Sequence, residues 1–253
     1  MIKLLKYDWK RNSVTLIMAF VIIVLIQAVF TGAGKANGWD PNGVYAGMVV
    51  FYGMAAFLTF LLAFQTYHSN IKSYSRRLLP VPSVYLAVTP FLLLLACHAA
   101  VGILFIAHDM LFRSLFGWGR SLIDLMAEHV GAAQAAGIAA TYVWNAAVTS
   151  AVVMFSITMS RTVEGKGGTW LGLLTAIILF TAVPWLEGVI FPVLSETHAQ
   201  IGFITFFANA PGSTEFELVP FKPIHFGVVL FEAAVVAALV WGIAYLLDRK
   251  TKL

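Results

Sequence analysis

The residues able to do chemistry are few and scattered. Six histidines stand at positions 68, 98, 108, 129, 198 and 225. A protein zinc site draws its ligands from short, fixed spacings of Cys and His, and these histidines show none. Cys97 is the single cysteine and sits in an apolar run, so no internal disulfide can form. A phosphate cradle would need G-x-x-x-x-G-K-[ST]; Gly165-Lys166 lacks both the upstream glycine and the hydroxyl residue. G-x-S-x-G and H-E-x-x-H are absent as well. The chain therefore carries no P-loop of its own, and nothing in it predicts a catalytic residue or a metal site. An intramembrane enzyme would need Glu187, His98 and Glu232 to converge from different segments. His98 reads more readily as a hydrogen-bonded core residue.

The segments that carry these residues explain the sparseness. Of 253 residues, 60% are apolar and 11% charged, against roughly 45–50% and roughly 25% in soluble domains. The mean hydropathy is +0.86. A globule of this size could not hide so much apolar surface. Disorder, collagen, coiled coil and disulfide scaffolds are excluded by the same composition. The fold class expected is all-α: a polytopic membrane protein with one transmembrane domain over 1–253. Six segments reach the roughly 20 residues needed to cross a bilayer, at about 14–31, 44–67, 84–107, 131–159, 169–192 and 225–247. The first begins like a signal peptide. Its run from Val14 to Phe30 is long for one, and no A-x-A site closes it. It reads as a retained span.

Charge then sets the orientation. Alternate loops and both termini hold twelve of the 16 Lys and Arg, leaving Lys35, Arg113, Arg120 and Lys222 for the other side. The positive-inside rule predicts both termini in the cytoplasm and an even number of spans; a multi-pass protein of the cell (plasma) membrane is expected. It also accounts for the net charge of +4 without nucleic acid.

Five stretches depart from plain spans. Met1–Asn12 places Ile2, Leu5 and Trp9 on one helical face, with Lys3, Lys6 and Lys10 beside it. It is either an amphipathic helix on the inner surface (1–12) or a plain positive flank. The loop over 68–83 is short, basic and held by a span at each end; Pro80 and Pro82 stop a helix, and Ser83 can cap the next one. The connection over 108–130 mixes Phe112, Phe116 and Trp118 with Arg113 and Arg120, which suits an interfacial segment. The fifth span meets Pro184, then Glu187 and Pro192. Thr169–Val183 alone gives about 22 Å of helix, short of a core of roughly 30 Å. Ala199–Ala210 is apolar but too short to span. A re-entrant or interfacial helix within 184–223 is expected there, with a buried outer loop as the other reading. Pro184, Glu187 and Pro192 are then candidates for an outer gate.

These features together resemble the permease subunits of ABC-2 type ABC transporters: a basic N-terminal stretch, the turn Arg77-Leu78-Leu79-Pro80-Val81-Pro82-Ser83 after span two, and a broken fifth span. The resemblance covers nearly the whole chain as architecture. It implies a transmembrane exporter subunit that works with a separate ABC ATP-binding subunit, on which ATP and Mg are bound. It also implies a second permease subunit, identical or paralogous, in the same bilayer. By position, Ile71, Lys72, Tyr74, Arg76, Arg77 and Leu79 would form the segment that couples to the ATPase. Independently, a rigid cytoplasmic element joined to two spans is what an ATP-driven membrane protein without a P-loop requires. Only 68–83 fits, because the 160–168 loop is smaller and Gly-rich.

The cargo is read from what is missing. Few charges lie in the spans, so no ion path is indicated. An apolar cavity favours hydrophobic or amphipathic cargo. The resembled family's small members often export antimicrobial or toxic peptides, which places a peptide first. An intramembrane enzyme and a non-transporting immunity or scaffold protein are the alternatives.

Overall fold

The computed structural model describes residues 2–72, 82–117, 123, 132–163, 165–191, 204–210, 213–218 and 226–249. Six long helices dominate: α1 (Ile2–Ala36), α2 (Pro41–Lys72), α3 (Val84–Phe116), α4 (Ala132–Ser160), α5 (Lys166–Ile190) and α6 (Phe226–Arg249). All six are long and apolar enough to cross a membrane. The chain is a multi-pass membrane protein by this measure. Between α5 and α6 lie two strands, β1 (Ile204–Ala210) and β2 (Ser213–Leu218).

The helices form two groups of three. α1, α2 and α3 pack against one another, while α4 carries α5 on one side and α6 on another. Lighter contacts of α4 with α2 and α3, and of α6 with α3, join the groups. One core cluster brings Leu4, Ile71, Leu86 and Leu247 together. The start of α1 and the end of α6 therefore lie at one end of the bundle, called here the termini end; the α1–α2 turn marks the far end.

Four expectations need correction. The N-terminal stretch is not a separate surface helix. It continues into the first span as one helix of 35 residues, about 52 Å long. No Gly or Pro interrupts it before Gly32, and Asn12 donates to the Asp8 carbonyl within the helix at 2.8 Å. Its buried face is also different: Leu4, Asp8 and Leu16 are buried, whereas Trp9 is half exposed.

The fifth span is likewise unbroken. α5 runs through Pro184 to Ile190, giving 25 residues and about 37 Å. Proline removes one backbone donor but leaves its neighbours bonded, so the helix carries on to a normal spanning length. Glu187 then lies in its last turn, where its carbonyl accepts the Phe191 N–H at 2.8 Å. Pro192 falls outside the described residues.

Beyond α5, the apolar piece is strand where it is described, not helix. β1 and β2 pair antiparallel from Ile204↔Leu218 to Ala210↔Ser213, with an irregularity between Ala208 and Ala210. The start of the 108–130 connection is not a separate segment either; residues 118–122 and 124–131 lie outside the described residues. α3 extends to Phe116, and Phe112 is fully buried against Tyr45 and Phe116. Gly117 ends the helix with φ +62°, a left-handed conformation that glycine adopts without a Cβ clash.

Small residues set the helix spacing in the α4 group. A Cβ at Gly168 would stand 2.3 Å from the carbonyl oxygens of Ser160 and Val163. One at Gly172 would stand 2.7 Å from the Ser160 Cβ. α5 thus lies directly on the end of α4. Gly47 receives the Phe30 ring of α1 in the same way.

Candidate functional site

The site builds up at the termini end, around the two ends of the 73–81 stretch. α1 and α2 each bring polar residues one turn apart to their shared face: Asp8 and Asn12 on α1, Thr66 and Asn70 on α2. Residues four apart lie on one side of a helix, so the pairs meet in register. Asn70 donates its amide to both carboxylate oxygens of Asp8, at 3.1 and 3.3 Å. Asn12 donates to the Thr66 hydroxyl at 3.0 Å. Arg11 reaches across to the Ser69 hydroxyl at 3.1 Å and the Thr66 carbonyl at 3.2 Å. Its guanidinium also stands 3.9 Å from Asp8. Asp8 and Asn70 have no exposed surface. A buried carboxylate persists only where hydrogen bonds and a counter-charge replace water; here Asn70 of α2 donates to it and Arg11 of α1 brings the charge.

Other helices close on the same end of α2. The Tyr67 and Thr158 hydroxyls are 2.6 Å apart, joining α2 to α4. The Arg161 guanidinium meets the His68 ring just beyond α4. Ile71 is 1% exposed and packs with Leu4, Leu86 and Leu247. On the other flank, Ser83 stands at the start of α3. Its hydroxyl does not cap that helix, as expected, but donates to the Asp248 carboxylate of α6. Both flanks of 73–81 are therefore tied to neighbouring helices: the α2 side to α1 and α4, the α3 side to α6.

Of the sequence-predicted coupling residues, Ile71 is buried in this hub and Lys72 ends α2 exposed. Tyr74, Arg76, Arg77 and Leu79 lie outside the described residues. Sequence reading missed Asp8, Asn70, Thr66 and Asn12. The signal was present: polar residues at i and i+4, in phase with the buried Leu4 and Leu16.

A second polar cluster lies toward the far end. Asp109 is fully buried; it accepts the Tyr45 hydroxyl at 2.7 Å and pairs with Arg113 at 3.3 Å. The preceding residue, His108, meets Thr31 and Tyr52. Midway along the bundle, the His98 ring nitrogens face the Ala56 carbonyl at 3.0 Å and the Tyr142 hydroxyl at 2.5 Å. Glu232 accepts the Trp144 indole N–H at 2.5 Å. Tyr142 and Trp144 are two residues apart, about 200° around α4, so His98 and Glu232 approach α4 from different sides. They do not form the joint acid–base site that an intramembrane enzyme would need. No group of His, Cys, Asp and Glu among the described residues could hold a metal ion.

A cleft of about 490 Å³ runs between α1 and α2 and is lined mainly by apolar residues such as Leu16, Ile23, Met54 and Leu58. No family model, curated protein or solved structure matches the chain.

Proposed function

We propose that this chain is the permease subunit of an ATP-driven exporter of the ABC-2 type. Both termini face the cytoplasm, and ATP is hydrolysed by a separate subunit. The observation that carries the reading is the double anchoring of the 73–81 stretch. On one side Asn70 and Ile71 are locked to α1; on the other Ser83 is bonded to α6. A push on that stretch reaches both three-helix groups with little slack, because close-packed interiors transmit strain. The ATPase docks there, on Arg76 and Arg77. The cargo is hydrophobic or amphipathic, with a peptide first, in keeping with the apolar α1–α2 cleft. A second permease subunit completes the pathway. The face of α5 that carries Trp170, Leu173 and Ile177 is exposed in the single chain and is available to lipid or to that subunit.

The test is Arg76→Glu with Arg77→Glu. ATPase association or stimulated hydrolysis should fall severalfold, while the chain still inserts. Cysteine labelling at Asn37 from outside and at Ser75 from inside serves as the control, since these arginines also orient the chain. Unchanged association and hydrolysis in a correctly oriented variant would remove the coupling role.

A further inference from the structure

α1 and α2 are tied at two levels and part between them. At the termini end Asn12 donates to Thr66 and Asn70 to Asp8. Toward the far end the Phe30 ring lies against Gly47. From Asn12 to Phe30 is about 27 Å of helix. The cleft of about 490 Å³ lies within that interval, from Thr15 to Ile26 on α1 and from Gln65 to Phe51 on α2. Ala19 and Ala55 stand one on each wall, and their single methyls leave the space. Its floor is buried at Leu16, Ala55 and Thr59, and α3 closes it from behind, where Leu93 packs on Leu16. Its rim is exposed at Ile22 and Leu58. The mouth therefore opens sideways, on the face that a spanning helix turns to hydrocarbon.

The lining states what can fill it. Among the described residues that line the cleft, none is ionisable. Thr59 is the polar residue of the floor, and its hydroxyl donates to the Ala56 carbonyl of its own helix at 2.8 Å. Water needs two to four polar partners to occupy such a site and does not find them here. Left empty, the lining would forfeit dispersion contacts along its whole length.

Dimensions then choose among apolar occupants. Thr15 to Ile26 spans about 16 Å along α1. Over that length a volume of about 490 Å³ averages about 30 Å² in cross-section. A helix with its side chains is about 10–12 Å across and would need about 80 Å² or more, so no helix of a second copy enters. A hydrocarbon chain is about 5 Å across by carbon contact distances and takes about 20 Å². One chain fits and two do not. Thr15 and Gln65, both exposed, lie at the termini end of the cleft, where an ester can meet polar side chains. We propose that the α1–α2 groove holds one acyl chain of a phospholipid from the leaflet on the termini side. The ester lies at Thr15 and Gln65, and the chain runs toward Ile26 and Phe51. With an uncharged lining, the groove selects the chain and not the head. The proposal rests on the groove alone and stands whether or not the chain is a permease.

The probe is a phosphatidylcholine carrying a photoactivatable diazirine midway along one acyl chain. A phosphatidylglycerol with the same chains is its charged counterpart. The full-length protein is reconstituted in vesicles containing a trace of either probe, illuminated, and its labelled positions are mapped by mass spectrometry. Ala55 and Thr59 on the floor should be labelled, and equally by the two probes. Ala19→Leu should lower that labelling severalfold and Ala19→Trp should abolish it. Labelling of Leu173 and Ile177, exposed on α5, should stay as in the wild type and serves as the measure of ordinary lipid contact. Ala19→Leu, checked by melting temperature, carries the comparison if the tryptophan variant does not fold. Floor labelling that is absent in the wild type, or that keeps its ratio to α5 in a folded Ala19 variant, would overturn the proposal. A consistent preference for one head would overturn it too, because recognition would then lie outside the groove. So would a wild-type dimer that a folded Ala19 variant dissociates, which would assign the groove to a second copy.

Discussion

Asp8 has no exposed surface, and Asn70 is the residue that holds its carboxylate across the α1–α2 contact. Replacing Asn70 by Leu removes both donors and leaves a buried charge short of partners. The expected loss is on the order of 1–3 kcal/mol, read as a lower melting temperature in detergent. Asn70→Asp should be worse than Asn70→Leu, because it sets a second carboxylate against the first. The exchange Asp8→Asn with Asn70→Asp should recover much of the stability. A stable Asn70→Asp variant would contradict the contact. This pair was hard to read in the sequence. Asp8 lies among Lys3, Lys6, Lys10 and Arg11, where it looks like one acid in a basic flank. Only with α1 continuous do Leu4, Asp8, Asn12 and Leu16 line up as one buried stripe. His98 was simpler: a lone histidine in an apolar run had to find hydrogen bonds locally, and it does so with Ala56 and Tyr142.

Among the elements, α5 is the least covered: it packs on α4 and exposes most of its apolar surface. Its hold depends on Gly168 and Gly172, which let its backbone approach Ser156 and Ser160. The Gly168-x-x-x-Gly172 spacing is thus used within the chain, as is the contact of Gly47 with Phe30. Gly172→Ala would place a methyl 2.9 Å from the Ser156 carbonyl oxygen. We expect a loss of roughly 1–3 kcal/mol from the overpacking. Gly53 has nothing within 4 Å of a built Cβ, so Gly53→Ala should be neutral or gain up to about 1 kcal/mol in helix propensity. Equal effects of the two substitutions on thermal stability would contradict the close approach. The long helices were legible because hydropathy over roughly 20 residues is a strong signal. Pro184 misled because proline ends helices more readily in water than in a packed membrane segment. The hairpin was missed although Pro211-Gly212, a turn dipeptide, separates two short runs.

For the whole molecule, the shared placement of Leu4 and Leu247 puts the start of α1 and the end of α6 at one end of the bundle. Among the described residues, the same end ties α1, α2, α4 and α6 together through polar bonds at both flanks of 73–81. Hydropathy alone could not reveal these ties, because it reads burial and not which side chains meet. The charge distribution of the sequence carries no information on that bonding. The most direct measurement is purification of the tagged chain from its native membrane in mild detergent, with identification and assay of what stays bound. A permease subunit should carry a stoichiometric P-loop ATPase, and the complex should hydrolyse MgATP. Asn70→Leu, kept below its melting temperature, should lower that hydrolysis severalfold without releasing the partner. A folded chain that repeatedly purifies with no nucleotide-binding subunit and no ATP hydrolysis would contradict the permease reading.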